Sequence, residues 1–178
     1  MNARTEELIR YLDERLAALC AAVEAVPAER REEKPDPERW SVAEVLEHLL
    51  AVERGTTQVF IAHSGEGEPL GEDFGSGSVL ETVDMGMLLD RSRKRVTAEA
   101  RRPTGTLDAA TGWAQLEEAR RGLVEQIRRA DGVSLERVMH DHPAGGRLNL
   151  YQWVAFVGAH QARHEAQIVE IGESLAGG

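Results

Sequence analysis

In four stretches of the chain, apolar residues return every third or fourth position for several turns, and that period is its strongest folding constraint. Side chains so spaced share one face of a helix, and a helix with one apolar face must bury it against others. Leu8, Leu12, Leu16, Leu19, Val23 and Val26 form the first stripe and predict a helix over residues 3–26. Ser41 with Glu44 makes a capping box that opens a second helix, running to Ala62, with Val42, Val45, Leu46, Leu49, Val52 and Val59 inward. Trp113, Leu116, Leu123 and Ile127 mark a third over 108–130. Asn149 caps a fourth, from Leu150 to Leu175, whose face carries Trp153, Val157, His160, His164, Ile168 and Ile171. A fifth piece is expected in 80–98, with Leu80, Val83, Met87 and Leu88 inward. No strand alternation is evident, so the expectation is an all-α four-helix bundle, a single domain over 1–178, with an extra short helix.

The totals remove several function classes. A formal net charge of −10 repels phosphate backbones and argues against nucleic-acid binding. No signal-peptide core or membrane-length apolar run is visible, and a cytoplasmic location with no membrane partner is the expectation. The single cysteine, Cys20, excludes an intrachain disulfide and a cysteine metal cluster, and its place beside the first stripe suits a small buried hydrophobe. The stretch 63–79 is acidic and glycine-rich. Its carboxylates oppose a phosphate cradle, so it reads as a surface loop.

The chemistry concentrates in "GAHQARHEAQI", residues 158–168. His160 and His164 are four apart and nearly eclipse on the buried stripe. Their Cβ atoms should lie about 5–6 Å apart, close enough for both imidazoles to reach one cation. Two inward histidines with apolar neighbours are hard to satisfy as core residues. The second position of this H-x-x-x-H is Gln161, so the general base of the zincin proteases is missing. No E-x-x-H pair of a di-iron bundle accompanies it: Gln161 and Val45 stand three before His164 and His48. A third ligand must come from His48, His63, His140 or His142. His63 opens the acidic loop and reads as solvated; His140 and His142 stand at the start of the connection "HDHPAGGRLNL" and read as surface residues or a site rim; His48 sits within a helix beside its apolar face and is the choice.

Three pieces in this order resemble the DinB-like superfamily of metal-binding four-helix bundles: "WSVAEVLEHLLAVE" around His48, the HP-x-G-G turn at 142–146, and "WVAFVGAHQARHEAQI" around His160 and His164. "RVTAEARRPTG" is similar to the family's connection between its middle helices, and the acidic loop looks longer than usual, as a lid would be. The resemblance implies an up-down-down-up bundle with a mononuclear site on His48, His160 and His164, holding zinc or nickel, and in many relatives a homodimer. It implies a small-molecule substrate and a metal-dependent enzyme: a low-molecular-weight-thiol S-transferase, with bacillithiol or mycothiol as co-substrate, or a related hydrolase. The alternative is a non-catalytic metal- or ligand-binding dimeric bundle. No catalytic residue beyond the metal set is identified. Glu53 reads as a solvated helix glutamate, Arg163 as facing a partner helix or solvent, His142 as holding its turn and Gln167 as hydrogen-bonding across helices.

Overall fold

The structure is a computed structural model that describes residues 1–71, 77–92, 99–143 and 145–177, with backbone alone at Met87 and Ala100. Four long helices dominate it: α1 (Ala3–Glu24), α2 (Val42–His63), α4 (Ala109–Arg129) and α5 (Leu150–Ala176), with a short α3 (Met85–Leu89) between the second and third of them. Each long helix begins on a side-chain cap that accepts an otherwise unpaired N–H. Asn2 serves α1, Asp108 serves α4, and reciprocal boxes open α2 (Ser41 with Glu44) and α5 (Asn149 with Gln152).

The extra short helix expected within 80–98 is the five-residue α3, preceded by a single 3-10 turn (Leu80–Thr82), so the described residues there form no one continuous helix. Val83 is extended and separates the turn from α3. Leu88 is buried against Phe156 and Ala159, and Val83 packs beside it. Docking onto α5 thus satisfies these apolar residues one by one, and no continuous helix is needed. The Met87 side chain and residues 93–98 lie outside the described set.

Two small antiparallel ladders stand where the sequence predicts no strand. β1 (Glu68–Pro69) pairs with β2 (Val133–Ser134), and β3 (Met139–His142) pairs with β4 (Gly146–Asn149) as a hairpin. The "HDHPAGGRLNL" connection is that hairpin. Gly146, at φ +70°, takes the left-handed turn conformation that a β-carbon disfavours.

Neighbour contacts give the helix directions. Tyr11 lies against Gly158, Arg15 against Glu165 and Val26 against Gly172, so α1 and α5 run parallel. Leu46 meets Gly112 and Glu53 meets Arg120, so α2 and α4 are also parallel. Val42 shares a core with Ile171 and Leu175, whereas Phe60 shares one with Val154 and Val157, so α2 and α5 are antiparallel. This is the up-down-down-up order. Parallel neighbours force the chain to travel back along the bundle, which is why the α2–α4 connection is long.

Among the described residues the apolar core has two main parts, beside the small Leu88–Phe156–Ala159 cluster. One lies around Leu8, Leu12, Phe60, Leu123, Ile127 and Val154. The other lies around Leu19, Val23, Leu46, Leu49, Leu116 and Ile168. A polar layer separates them. In it Glu53 (α2) and Arg120 (α4), 2% exposed each, form a two-pronged ion pair at 2.5 and 2.9 Å. Arg120 also donates to the Leu12 carbonyl and to Gln161 Oε1, and Gln161 donates to the Arg15 carbonyl. All four long helices are tied at this level. The solvated reading of Glu53 is therefore corrected: the inner face of α2 continues from Leu49 through Glu53, Thr56 and Phe60, while Val52 and Val59 are only half-buried.

Candidate metal centre

His48 on α2 and His160 and His164 on α5 meet across the antiparallel seam, beside the polar layer. His48 Nε2 and His164 Nε2 each lie 3.2 Å from His160 Nε2. The ring centroids are 4.5–5.0 Å apart. Three nitrogens at bond lengths of about 2.0–2.1 Å around one tetrahedral ion stand about 3.3–3.4 Å from one another. The spacing is therefore that of three donors facing a common centre. His48 and His164 are buried, and His160 keeps part of its surface exposed.

The outer nitrogens orient the inner ones. His48 Nδ1 donates to the Arg101 carbonyl at 2.7 Å, and His164 Nδ1 donates to Gln167 Oε1 at 2.8 Å. Both rings then carry their proton on Nδ1 and aim an Nε2 lone pair at the centre. Only His160 can hold a proton on Nε2, and it can donate to one neighbour at a time. Its own Nδ1 is buried with no hydrogen-bond partner. No arrangement of protons satisfies all three inward nitrogens, whereas one divalent cation does, so these residues fit such an ion. Burial holds each ring neutral. It pushes the His48 imidazolium below its ordinary range, His160 well below, with His164 and His48 adding repulsion, and His164 down to about 3.

Trp40 and Phe156 flank the triad. The Trp40 indole lies 16° from coplanar with His164 at 6.3 Å, and Phe156 lies 17° from coplanar with His160 at 6.5 Å. His142 packs on Phe156 and Trp153, and its Nδ1 accepts from the Gly145 N–H, so it does hold its turn. After burial, the largest charge effects on His160 and His164 come from the neighbouring histidines, and arginines add to them: Arg101 on His48, Arg163 on His160, and Arg163 with Arg91 on His164. Arg101 covers Gly55, where any β-carbon would collide with its guanidinium, and donates to the Ala51 carbonyl. Arg163 donates to the Asp90 carbonyl, and Arg91 donates to the Arg163 carbonyl and to Glu170. Arg163 thus reaches, on the exposed side, the end of α3.

The other candidates fall elsewhere. Among the described residues Gln167 bonds within α5, to His164, and not across helices. Cys20 is far along α1, and burial and then Glu24 raise its thiol pKa, so it has no activated thiolate. His63 and His140 stack on each other, remote from the triad in the fold and beside Glu66, so His63 is not simply solvated. Residues 72–76 of the acidic loop, and with them the lid reading, lie outside the described set. Trp40, Arg101, Arg120 and Gln161 were missed as site or near-site residues. Two of them left a signal: Arg120 occupies a stripe position between Leu116 and Leu123, and Trp40 stands just before the Ser41 cap.

Fold and site together define a class: a four-helix bundle with parallel outer pairs and a histidine triad on its antiparallel seam. The sequence model of the DinB superfamily matches residues 11–168, and the chain belongs to that superfamily. The Bacillus subtilis (strain 168) protein YuaE, described as uncharacterised, is 28% identical over 148 residues, 83% of this chain and 86% of its own. The solved structure of YfiT from Bacillus subtilis, described as a probable metal-dependent hydrolase with an unusual four-helix bundle topology, shares the fold. Its TM-score is 0.61 at 18% identity, covering 97% of this chain and 87% of YfiT. No helix among the described residues is long and apolar enough to cross a membrane.

Proposed function

We propose that the chain is a metal-dependent enzyme whose His48, His160 and His164 hold one divalent ion, zinc or nickel, and that it joins an intact low-molecular-weight thiol through its sulfur to a small electrophile, the new C–S bond replacing the bond to a departing halide or to an opening epoxide oxygen. The observation that carries this is the set of three inward Nε2 atoms at 3.2 Å steps, for which no proton arrangement suffices. Held by these three neutral imidazoles, such an ion would supply a positive charge that favours ionisation of a thiol or water near neutral pH. The Arg101 carbonyl and Gln167 hold two rings in their ligating tautomer. Trp40 and Phe156 provide apolar walls, and Arg101, Arg163 and Arg91 favour an anionic nucleophile. Glu53, the carboxylate on α2 nearest in sequence beyond His48, is committed to Arg120. A thiolate displacing a halide needs no acid or base for its leaving group, whereas hydrolysis draws on one, and that favours thiol conjugation over hydrolysis. YfiT's description supports hydrolysis as the related alternative.

The test is metal-loaded protein incubated with a panel of small thiols and a chromogenic aryl halide, beside chromogenic esters. Thiol-dependent turnover that His48→Ala abolishes supports thiol conjugation. Ester turnover alone reassigns the chain to hydrolysis, and turnover equal to that of His48→Ala in both assays removes the enzyme reading in favour of a binding bundle. We further propose that residues 1–178 act as one domain and that the chain forms a homodimer, as the superfamily resemblance implies. Sedimentation equilibrium at the monomer mass would overturn the dimer.

A further inference from the structure

A second set of donors gathers at the far end of α2, apart from the triad. His63, the last residue of α2, places Nδ1 2.6 Å from Glu66 Oε1. His140, on β3, places Nε2 3.8 Å from Oε2 of the same carboxylate, too far for a hydrogen bond. That nitrogen is buried and has no hydrogen-bond partner. The three donor atoms lie within 4.8 Å of one another. We propose that His63, Glu66 and His140 form a second site for a divalent transition-metal ion of the zinc type. The inference does not rest on the triad being a metal site.

Two imidazoles and a carboxylate are a complete three-ligand set for zinc, with water in the remaining position. The carboxylate supplies a negative charge to offset the ion, and the His63 hydrogen bond holds its carboxyl below the usual range, so it is ionised at neutral pH. The buried His140 nitrogen gains the partner it lacks. The geometry also shows what must move. The His63 and His140 rings overlap at 3.6 Å and 34°, whereas the triad rings stand 4.5–5.0 Å apart. The stacked pair therefore opens by about 1 Å and tilts toward the 60–64° of the triad rings to admit an ion in both ring planes. A helix-terminal residue and a single 3-10 turn (Ser64–Glu66) can make that adjustment. Filled, the site cross-links the end of α2 to the hairpin that carries His142 against Phe156, the wall of the triad.

The experiment is zinc stoichiometry and affinity by equilibrium dialysis at buffered micromolar free zinc, with elemental analysis. The proteins are the wild type, the His63→Gln/His140→Gln variant, Glu66→Gln, the triad variant (His48→Ala, His160→Ala, His164→Ala) and the triad variant with His63→Gln/His140→Gln added. The site predicts that His63→Gln/His140→Gln removes one zinc equivalent in either background. It also predicts that Glu66→Gln weakens that equivalent at least about ten-fold, the low end of what even outer ligand contacts cost. Zinc content unchanged by His63→Gln/His140→Gln overturns the site. So does Glu66→Gln with unaltered affinity, which marks a pair of surface imidazoles binding zinc adventitiously. The residues changed in the wild-type background are partly or fully exposed, so that arm stands even if the triad variant does not fold. Zinc content equal in wild type and triad variant counts against the triad alone.

Discussion

The strongest residue-level constraint is that buried polar groups here come in sets, so removing one member costs more than its own contacts. Arg120→Met leaves Glu53 buried without its partner and Gln161 Oε1 without its donor. Breaking a buried pair in this way costs about 3–5 kcal/mol, and urea unfolding should show it. Adding Glu53→Leu should recover part of the loss; a double variant as unstable as the sum of the singles would mean the ion pair is not the unit. At the triad, Gln167 fixes the His164 tautomer. Gln167→Leu should weaken metal binding at the triad about 10–100-fold, read by chelator competition, while His160→Ala should lose most of the triad's metal. Unchanged affinity in Gln167→Leu would dissociate tautomer control from binding. Much of this scale was legible in the sequence, because i and i+4 on a buried stripe must share a site. His48 came from its place beside an apolar face. Glu53 and Arg120 were misread or missed because each is ordinary alone, and their partners are 67 positions apart in the chain.

At the scale of elements, helix packing distinguishes glycines that composition treats alike. A β-carbon added at Gly122 on α4 would meet nothing within 4 Å, whereas at Gly158 on α5 it would lie 2.3 Å from the Tyr11 ring. Gly122→Ala should therefore stabilise the protein by about 0.5–1 kcal/mol through helix propensity. Gly158→Ala gains the same propensity but must displace Tyr11, an overpacking cost of about 1–3 kcal/mol, so its net effect should be neutral to destabilising. Thermal melts of the two variants test this, and equal gains would mean that α1 and α5 are not in close contact there. The four long helices were readable from their stripes and caps. The two ladders were not, because two- and four-residue strands are too short to show alternation, and their pairing is fixed by what the helices bring near.

For the whole molecule, the common direction of the histidine shifts sets the response to acid. His48, His142, His160 and His164 are all held below their ordinary pKa chiefly by burial, His142 to about 4 and His164 to about 3. The unfolded chain takes up these protons near pH 6.5 and the folded one only at lower pH. Stability is therefore fully present above about pH 6.5 and falls as the pH drops toward 4 and 3, by up to about 1.4 kcal/mol per pH unit for each such group. Chelator-treated protein unfolded in urea from pH 7.5 down to 4.5 should lose stability well above the carboxylate range; a flat profile to pH 5 would contradict the burial of the rings. Bound metal should raise the melting temperature at neutral pH, because it favours the native state, and a chelator should reverse the gain.

The sequence by itself determined the number and ends of the long helices, most of the buried side of each (the second half of α2 excepted), and the convergence of His160 with His164. These follow from a period and from caps that act within a few residues. The approach of His48 from another helix, the ion-paired layer that divides the core, and the meeting of His63 with His140 were decided only in the tertiary structure. Each depends on the direction and depth at which two helices, or a helix and a hairpin, pack. A stripe records that a face is buried and not which partner covers it.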